Sequence, residues 1–164
     1  MYKVKGKPWA YSDAIDVSDC ATAKEVMLKA GLNFNVAKCE LVGKMPIKLT
    51  GTDEELDRII KEQKEGAHVF GTDIYRKCDN AFATYRTDYN IPLGVVKSKY
   101  TIVQNNDAFN FFDDAIGKNS AIWQTAGFWG NGERIFVSAK LPNNILVKGD
   151  PVENYLVFTN THDG

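Results

Sequence analysis

The sequence has few of the residues that most often carry a metal site or nucleophilic chemistry. It contains only 2 histidines and 3 cysteines among 164 residues. Cys20, Cys39 and Cys78 are too far apart for a zinc knuckle or a redox pair, and an odd number without a pattern is typical of a reducing compartment. The sequence therefore predicts neither a bound metal nor a cofactor.

Long apolar runs and phosphate-binding loops are missing as well. No run reaches the roughly 18 residues that a membrane span needs, and the Lys-rich start is not followed by an apolar signal core. Gly127, Gly130 and Gly132 lie in or beside a predicted hairpin, whereas a P-loop places its glycines before a helix. We therefore expect a cytoplasmic protein without membrane contact.

Charge and composition exclude the extreme classes of protein. Lys and Arg number 20 against 21 Asp and Glu, so the net charge of −1 creates no general field that would attract nucleic acid or an anionic membrane. Hydrophobic residues make up 44% of the chain and aromatic residues 12%, which favours a dense core. An aromatic surface that binds a flat ligand is the alternative that these numbers leave open.

Two capping boxes and a central pair of asparagines predict three helices. Each box places a glutamate three residues after a threonine, a spacing at which side chain and backbone cap each other. The boxes are Thr22 with Glu25 and Thr52 with Glu55, and the two helices end at Gly31 and Gly66. Asn105 or Asn106 can cap the third helix, which is expected to end at Gly117.

Alternating apolar and polar residues predict strands over most of the remaining chain. The predicted strands are residues 32–42, 67–87, 95–103, 121–129, 134–141, 145–148 and 155–159. Turn sequences separate several of them, at residues 87–90, 130–133 and 149–151. In the strand 95–103, Tyr100 and Ile102 are expected on one face and Lys97 and Lys99 on the other.

These elements predict an α+β fold, with three helices packed against an antiparallel sheet and a C-terminal β-hairpin or meander. A length of 164 residues suits one domain. We expect that domain to span residues 22–164, and residues 1–21 to form an N-terminal arm that Trp9 anchors on the body.

Aromatic and basic residues are interleaved along the predicted strands in a way that suits single-stranded nucleic acid. Aromatic rings on a sheet face can stack bases while neighbouring Lys and Arg side chains contact phosphates. The candidate nucleic-acid-binding residues are Tyr85, Arg86, Lys97, Lys99, Tyr100 and Arg134. Strand alternation alone, with aromatic residues inward and charges outward, is the competing interpretation of the same pattern.

Five polar residues at predicted strand ends form a second candidate site. They are Asp88, Gln104, Asn105, His162 and Asp163. Such residues are typical turn formers, because their side chains bind local backbone groups. If they meet in one cleft instead, Asp88, His162 and Asp163 could bind a metal ion while Arg86 neutralises a phosphate, as in a metal-dependent phosphodiester hydrolase.

Taken together, a series of short segments resembles one protein family. The segments are Ala30-Gly31-Leu32 with Val36, Arg86-Thr87-Asp88, Leu93-Gly94-Val95-Val96, Tyr100 with Val103-Gln104-Asn105 and Phe109, Thr125-Ala126-Gly127, Gly132 with residues 134–141, Gly149-Asp150 and Asn160-Thr161-His162-Asp163-Gly164. From about residue 22 the chain resembles phage- and plasmid-borne proteins described as domain of unknown function 932. The resemblance implies a mobile-element protein without agreed activity or catalytic residues, and a chain that corresponds to the N-terminal half of longer members.

The residues and the resemblance together favour a non-enzymatic accessory protein of a phage or plasmid. Such a protein would bind single-stranded nucleic acid during replication or recombination of the element in the cytoplasm of a bacterial host. A module that binds a host or phage protein, in the manner of a counter-defence protein, is the alternative. An enzyme is expected only if the strand-end polar residues converge, and an oligomer is compatible with either function.

Overall fold

The computed structural model describes residues 14–46, 52–70, 73–116 and 122–164. Its helices are α1 (Ala23–Lys29), α2 (Asp53–Lys64) and α3 (Asn105–Ile116). Its strands are β1 (Ile15–Asp16), β2 (Val36–Pro46), β3 (His68–Phe70), β4 (Asp73–Arg86), β5 (Ile91–Lys97), β6 (Ile122–Trp129), β7 (Arg134–Lys140), β8 (Ile145–Val147), β9 (Asp150–Val152) and β10 (Tyr155–Thr161). All the strand pairs are antiparallel, so the predicted α+β class is confirmed.

The strands are divided between two four-stranded sheets and a separate hairpin. The first sheet has the order β1-β6-β7-β10, and in the second β4 pairs with β2, β3 and β5. Strands β8 and β9 pair only with each other and form a hairpin, residues 145–152, which we call the arm. The strands of the second sheet all precede helix α3 in the chain, whereas β6, β7 and β10 of the first sheet follow it.

The sequence around α1 and α2 explains where these helices begin. The Thr22 hydroxyl accepts a hydrogen bond from the Glu25 backbone N–H, and the Glu25 carboxylate accepts one from the Thr22 N–H, which confirms the first capping box. Thr52 occupies the N-cap of α2, but its side chain makes no capping hydrogen bond. The prediction of a second capping box is therefore wrong, although the predicted N-cap position is correct. Acidic residues in the first turn of α2 stabilise its N-terminus through the helix dipole instead.

The predicted helix α3 is present, but it begins at Asn105 itself, so neither Asn105 nor Asn106 is its N-cap. The first helical hydrogen bond runs from the Ala108 N–H to the Gln104 carbonyl, which places Gln104 at the N-cap. The Asn105 side chain bonds to the carbonyl of Leu32 and to His162 instead. The predicted stop at Gly117 lies outside the described residues.

Several predicted strand boundaries are wrong. The predicted strand 95–103 ends at Lys97, where a turn closed by the Tyr100 N–H and the Lys97 carbonyl redirects the chain toward α3. In the arm, β9 already begins at Asp150, because the turn is made by Lys148 and Gly149, with φ angles of 52° and 95°. The predicted strand 32–42 is displaced by four residues, since β2 runs from Val36 to Pro46, and β5 begins at Ile91, four residues before its predicted start. The predicted strand 67–87 is split into β3 and β4, and the remaining predicted strands lie close to their predicted ranges.

The core lies between the first sheet and helices α1 and α3, which contact each other. Its largest buried side chains include Leu32, Phe109, Phe112, Trp123 and Ile135. Strand β1 pairs with β6, so residues 15–16 of the predicted N-terminal arm belong to the first sheet. Residues 1–13, which include Trp9, lie outside the described part of the chain. None of the helices in the described ranges is long and apolar enough to span a membrane.

The chain segment after β10 crosses the second sheet and ties it to the first. The Thr84 hydroxyl donates a hydrogen bond to the His162 carbonyl at 2.6 Å. The backbone of Asp163 lies directly against Gly94: a Cβ at position 94 would lie 2.5 Å from the Asp163 Cα and 3.0 Å from its carbonyl oxygen. Gly94 is therefore the residue that permits this close approach of two backbones.

We expect Gly94→Ala to lower the free energy of unfolding by about 1–3 kcal/mol, because the added methyl group displaces the Asp163 backbone. Urea denaturation followed by circular dichroism measures the change. Gly43→Ala in β2 is the matched control, since a Cβ there meets its nearest atoms at 3.6 and 3.9 Å, which is ordinary contact. Equal stability of Gly94→Ala and the unsubstituted chain would contradict the described crossing.

Candidate functional site

Arg86 lies at the end of β4 and is buried between the two sheets. Its guanidinium donates to both carboxylate oxygens of Asp88, at 3.0 and 2.7 Å, and to the Asn131 carbonyl at 2.9 Å. It also lies 3.9 Å from the centre of the Phe34 ring, within cation–π distance. The hydrogen bonds from Arg86 lower the pKa of Asp88. Arg86 therefore joins the β4–β5 turn to the β6–β7 loop, and its guanidinium is not presented to a phosphate.

His162 and Asn105 form a hydrogen-bonded pair in the interior. His162 is fully buried and Asn105 is 1% exposed. The His162 Nε2 lies 2.8 Å from the Asn105 Oδ1, while the Asn105 amide donates to the Leu32 carbonyl at 3.0 Å. Because that amide group is the donor, the Asn105 oxygen accepts, and we assign the proton of His162 to Nε2. Burial lowers the pKa of His162, since the imidazolium ion would lose its hydration.

The polar loop between β5 and α3 is bonded to both sheets. The Gln104 side-chain amide accepts from the Val36 N–H at 3.0 Å and donates to the Val36 carbonyl at 2.8 Å, so it pairs with β2 as a strand would. The Tyr100 hydroxyl donates to the Thr161 carbonyl at 2.8 Å, and burial raises its pKa. These two side chains thus hold the loop in place.

The remaining nucleic-acid candidates are distributed over separate surfaces. Tyr85 and Arg86 are consecutive residues of β4, so their side chains point to opposite faces of the sheet. Lys97 pairs with Ala81, which shares the face of Tyr85, and Lys99 is exposed in the turn that follows β5. Only Tyr85 and Lys97 therefore share a sheet face.

Arg134 lies in an open cleft at one end of the first sheet. The cleft has a volume of about 660 Å³ and is lined by Trp129, Gly130, Glu133, Arg134, Thr159 and Thr161. It lies at the turn of the β6–β7 hairpin, and we call it the hairpin cleft. Nε and Nη2 of Arg134 donate to Oδ2 of Asp163 at 3.1 and 3.0 Å. The Arg134 side chain is nevertheless 60% exposed, so its charge remains accessible at the surface.

The five strand-end polar residues do not form one cluster, because they bond to different partners. Asn105 and His162 bond to each other, Asp88 bonds to Arg86, and Asp163 bonds to Arg134. Gln104 is adjacent to Asn105 but binds β2. No group of three or more His, Cys, Asp and Glu residues in the described ranges is arranged to hold a metal ion. The convergence that the hydrolase alternative requires is therefore absent from the described part of the chain.

Of the residues that line this cleft, Arg134 was a candidate from the sequence and Trp129 was not. It ends β6 directly opposite Arg134 and is 44% exposed, although its ring lies 4.8 Å from that of the buried Phe136. The sequence contains a pattern that indicates Trp129, because an aromatic residue beside a Gly-Asn-Gly turn faces its cross-strand neighbour.

The fold and the cleft define an α+β protein with an open cleft at the end of an antiparallel sheet. Residues 92–164 match the model of a family described as Domain of unknown function (DUF932). This range contains the whole hairpin cleft as well as His162, and the expected resemblance is confirmed over it. Comparisons with curated proteins and with solved structures gave no significant match.

We expect the free energy of unfolding to depend on pH through His162. Its folded-state pKa is lowered from 6.5, so the unfolded chain binds more protons between the two pKa values. Stability contributed by the neutral imidazole is complete above about pH 6.5 and decreases below it, by at most about 1.4 kcal/mol per pH unit. Denaturation at several pH values between about 5 and 8 measures this slope.

His162→Gln should flatten the decrease below about pH 6.5, whatever its effect on stability at neutral pH. His68→Gln is the control, because it removes an exposed histidine and leaves His162 in place. If His162→Gln and His68→Gln behave alike across this pH range, the buried histidine is not the group that titrates.

Proposed function

We propose that this chain is an accessory protein of a phage or plasmid and binds single-stranded nucleic acid in the hairpin cleft. One observation carries the proposal: the 44% exposed indole of Trp129 stands beside the 60% exposed Arg134 side chain in an open cleft of about 660 Å³. An indole can stack on any base, and a guanidinium binds phosphate oxygens. The mobile-element role rests on the resemblance that the sequence segments carry, and the family model that matches residues 92–164 describes a domain of unknown function.

The strand register supports stacking on Trp129. Trp129, Arg134 and Thr161 lie directly opposite one another on β6, β7 and β10, so their side chains share one face of the sheet. The contact with the buried Phe136 ring restrains the indole from below and lowers the entropy lost on stacking. A base on Trp129 would lie next to a charged group and a hydroxyl group.

The charges around the cleft are compatible with one phosphate contact. The Arg134 side chain is 60% exposed, whereas its ion-pair partner Asp163 is only 25% exposed. Arg134 uses Nε and Nη2 to bond to Asp163, so a phosphate can bind at its Nη1 group without breaking the ion pair. The Glu133 carboxylate accepts a hydrogen bond from the Asn131 backbone N–H at 2.6 Å, which holds this acidic group to its own loop.

Trp129→Ala should weaken binding of a labelled single-stranded oligonucleotide roughly 5- to 150-fold, the effect of losing one stacked base. Arg134→Gln should also weaken binding and should lower the slope of log K against log salt by about 0.7, because one phosphate contact is lost. Fluorescence anisotropy at several salt concentrations measures both quantities. Quenching of tryptophan fluorescence provides a second readout that Trp129→Ala should reduce.

Two variants serve as controls for these measurements. Trp129→Phe keeps an aromatic ring and should retain most of the affinity, and Lys99→Gln removes an exposed positive charge outside the cleft. Binding that is absent, insensitive to salt, or reduced equally by Lys99→Gln and Arg134→Gln would contradict the proposal, since a phosphate bound in the cleft must release counterions from Arg134.

A second candidate function, a module that binds a host or phage protein, is favoured by the arm. Its apolar side chains are 44–71% exposed; they are Ile145, Leu146, Val147 and Val152. Ile145 pairs with Val152 and Leu146 with Pro151, so both faces of the arm are apolar. Exposed apolar patches mark interaction sites, and a two-stranded hairpin alone is only marginally stable in water.

Leu146→Ser should abolish recovery of one specific host or phage protein that the unsubstituted chain retains from infected cells, because it removes the most exposed apolar side chain of the arm. The free energy of unfolding should stay within about 0.5 kcal/mol, as for other surface changes. Val95→Ser in β5, where the valine is 58% exposed, is the matched control. Equal recovery by Leu146→Ser and the unsubstituted chain would contradict this function.

A further inference from the structure

We propose that β10 pairs with β10 of a second copy of this chain, antiparallel and centred on Val157. Strand β10 forms an edge of the first sheet. On its inner side, the His162 N–H donates to Glu133 and the Asn154 carbonyl accepts from Leu141. Residues of even number in this strand therefore direct their backbone groups toward β7, because the direction alternates along an antiparallel ladder.

The odd-numbered residues of β10 direct their N–H and carbonyl groups outward. Among them, Thr161 has a partner, since its carbonyl accepts from the Tyr100 hydroxyl. None of the described contacts uses the outward backbone groups of Tyr155, Val157 and Thr159. A row of unpaired donors and acceptors on a sheet edge is a template for another strand.

The other long edge strands of the described structure are protected against such pairing. In β2, the Gln104 amide pairs with Val36, and charged residues follow at Lys38 and Glu40. In β5, Pro92 and Lys97 interrupt the edge. Proline, lysine and side-chain coverage are the usual means by which proteins prevent edge pairing. Residues 155–161 contain neither a charged residue nor a proline, and the Tyr100 hydroxyl covers only the Thr161 end of β10, so residues 155–159 have none of this protection.

The position of Tyr100 determines the register of the proposed pairing. Because the hydroxyl of Tyr100 occupies the outward carbonyl of Thr161, the unpaired part of the edge is residues 155–159. A strand that pairs antiparallel with a copy of this stretch has its two-fold axis at Val157. Each Tyr155 then exchanges backbone hydrogen bonds with Thr159 of the second copy, and the two Val157 residues exchange theirs.

The side chains of this stretch are self-complementary, which favours a second copy over another strand. No like charges oppose each other, Leu156 lies opposite Phe158 of the second copy, and the two Val157 side chains are adjacent. Leu156 is 39% exposed in the single chain, so the pairing covers apolar surface. The result is one continuous eight-stranded sheet built from two four-stranded sheets.

Analytical ultracentrifugation of the full chain at increasing concentration tests the pairing. We expect a particle of twice the monomer mass for the unsubstituted chain and for Val157→Thr, which keeps the N–H group and the strand preference. Val157→Pro should be a folded monomer, because it removes an N–H group that points outward and leaves the bonds to β7 intact. Circular dichroism confirms that the variant is folded.

The two-fold axis at position 157 allows a sharper test, because this residue faces itself. Val157→Lys and Val157→Glu should each be monomeric, since like charges would oppose each other, whereas an equimolar mixture should form a dimer that contains one copy of each. Three results would overturn the proposal: a monomeric unsubstituted chain, a dimer that persists in Val157→Pro, or a mixture of the charged variants that stays monomeric although both fold.

Discussion

The buried hydrogen bond between His162 and Asn105 is the contact on which the arrangement of the two sheets depends. His162 follows the last strand of the first sheet, and its own backbone bonds to Glu133 and to the Thr84 hydroxyl. Asn105 begins α3 and bonds to the carbonyl of Leu32 after α1. One pair of side chains therefore links the first sheet, the second sheet and both core helices. Removing either partner leaves a buried polar group unsatisfied, which costs about 1–3 kcal/mol.

Arg86 provides a second connection beside this pair. Its planar guanidinium has donors in a fixed fork, which allows it to bind the two oxygens of Asp88 and the Asn131 carbonyl while its face lies on Phe34. The Phe34 ring lies 6.0 Å from the His162 ring, so both connections pack against the same aromatic side chain. Polar residues at the strand ends thus build the interface between the sheets.

Local sequence was sufficient to predict most of the elements but not the way in which they are assembled. The capping box at Thr22 and the hairpin around residues 130–133 depend on near neighbours, and both are confirmed. Two connections could not be predicted in this way, because Arg86 meets Asn131 and Asn105 meets His162 across 45 and 57 residues. The turn-forming interpretation of the polar residues was incomplete for the same reason: Asn105 and Gln104 use their amides on distant backbone groups.

The proposed dimer would compensate for the weak binding that is expected of a single cleft. One stacked base and one phosphate contribute a few kcal/mol at most, and a net charge of −1 adds no general attraction. Pairing of β10 about an axis perpendicular to the sheet places the hairpin clefts of both copies on the same face. Thr161 of each copy then lies about 26 Å along the strand direction from its equivalent, at a rise of about 3.3 Å per residue. A single strand that reaches both clefts binds the second one intramolecularly, and its overall affinity exceeds that of either cleft. Dimerisation through an uncharged edge therefore offers a physical route by which a nearly neutral chain could bind a polyanion.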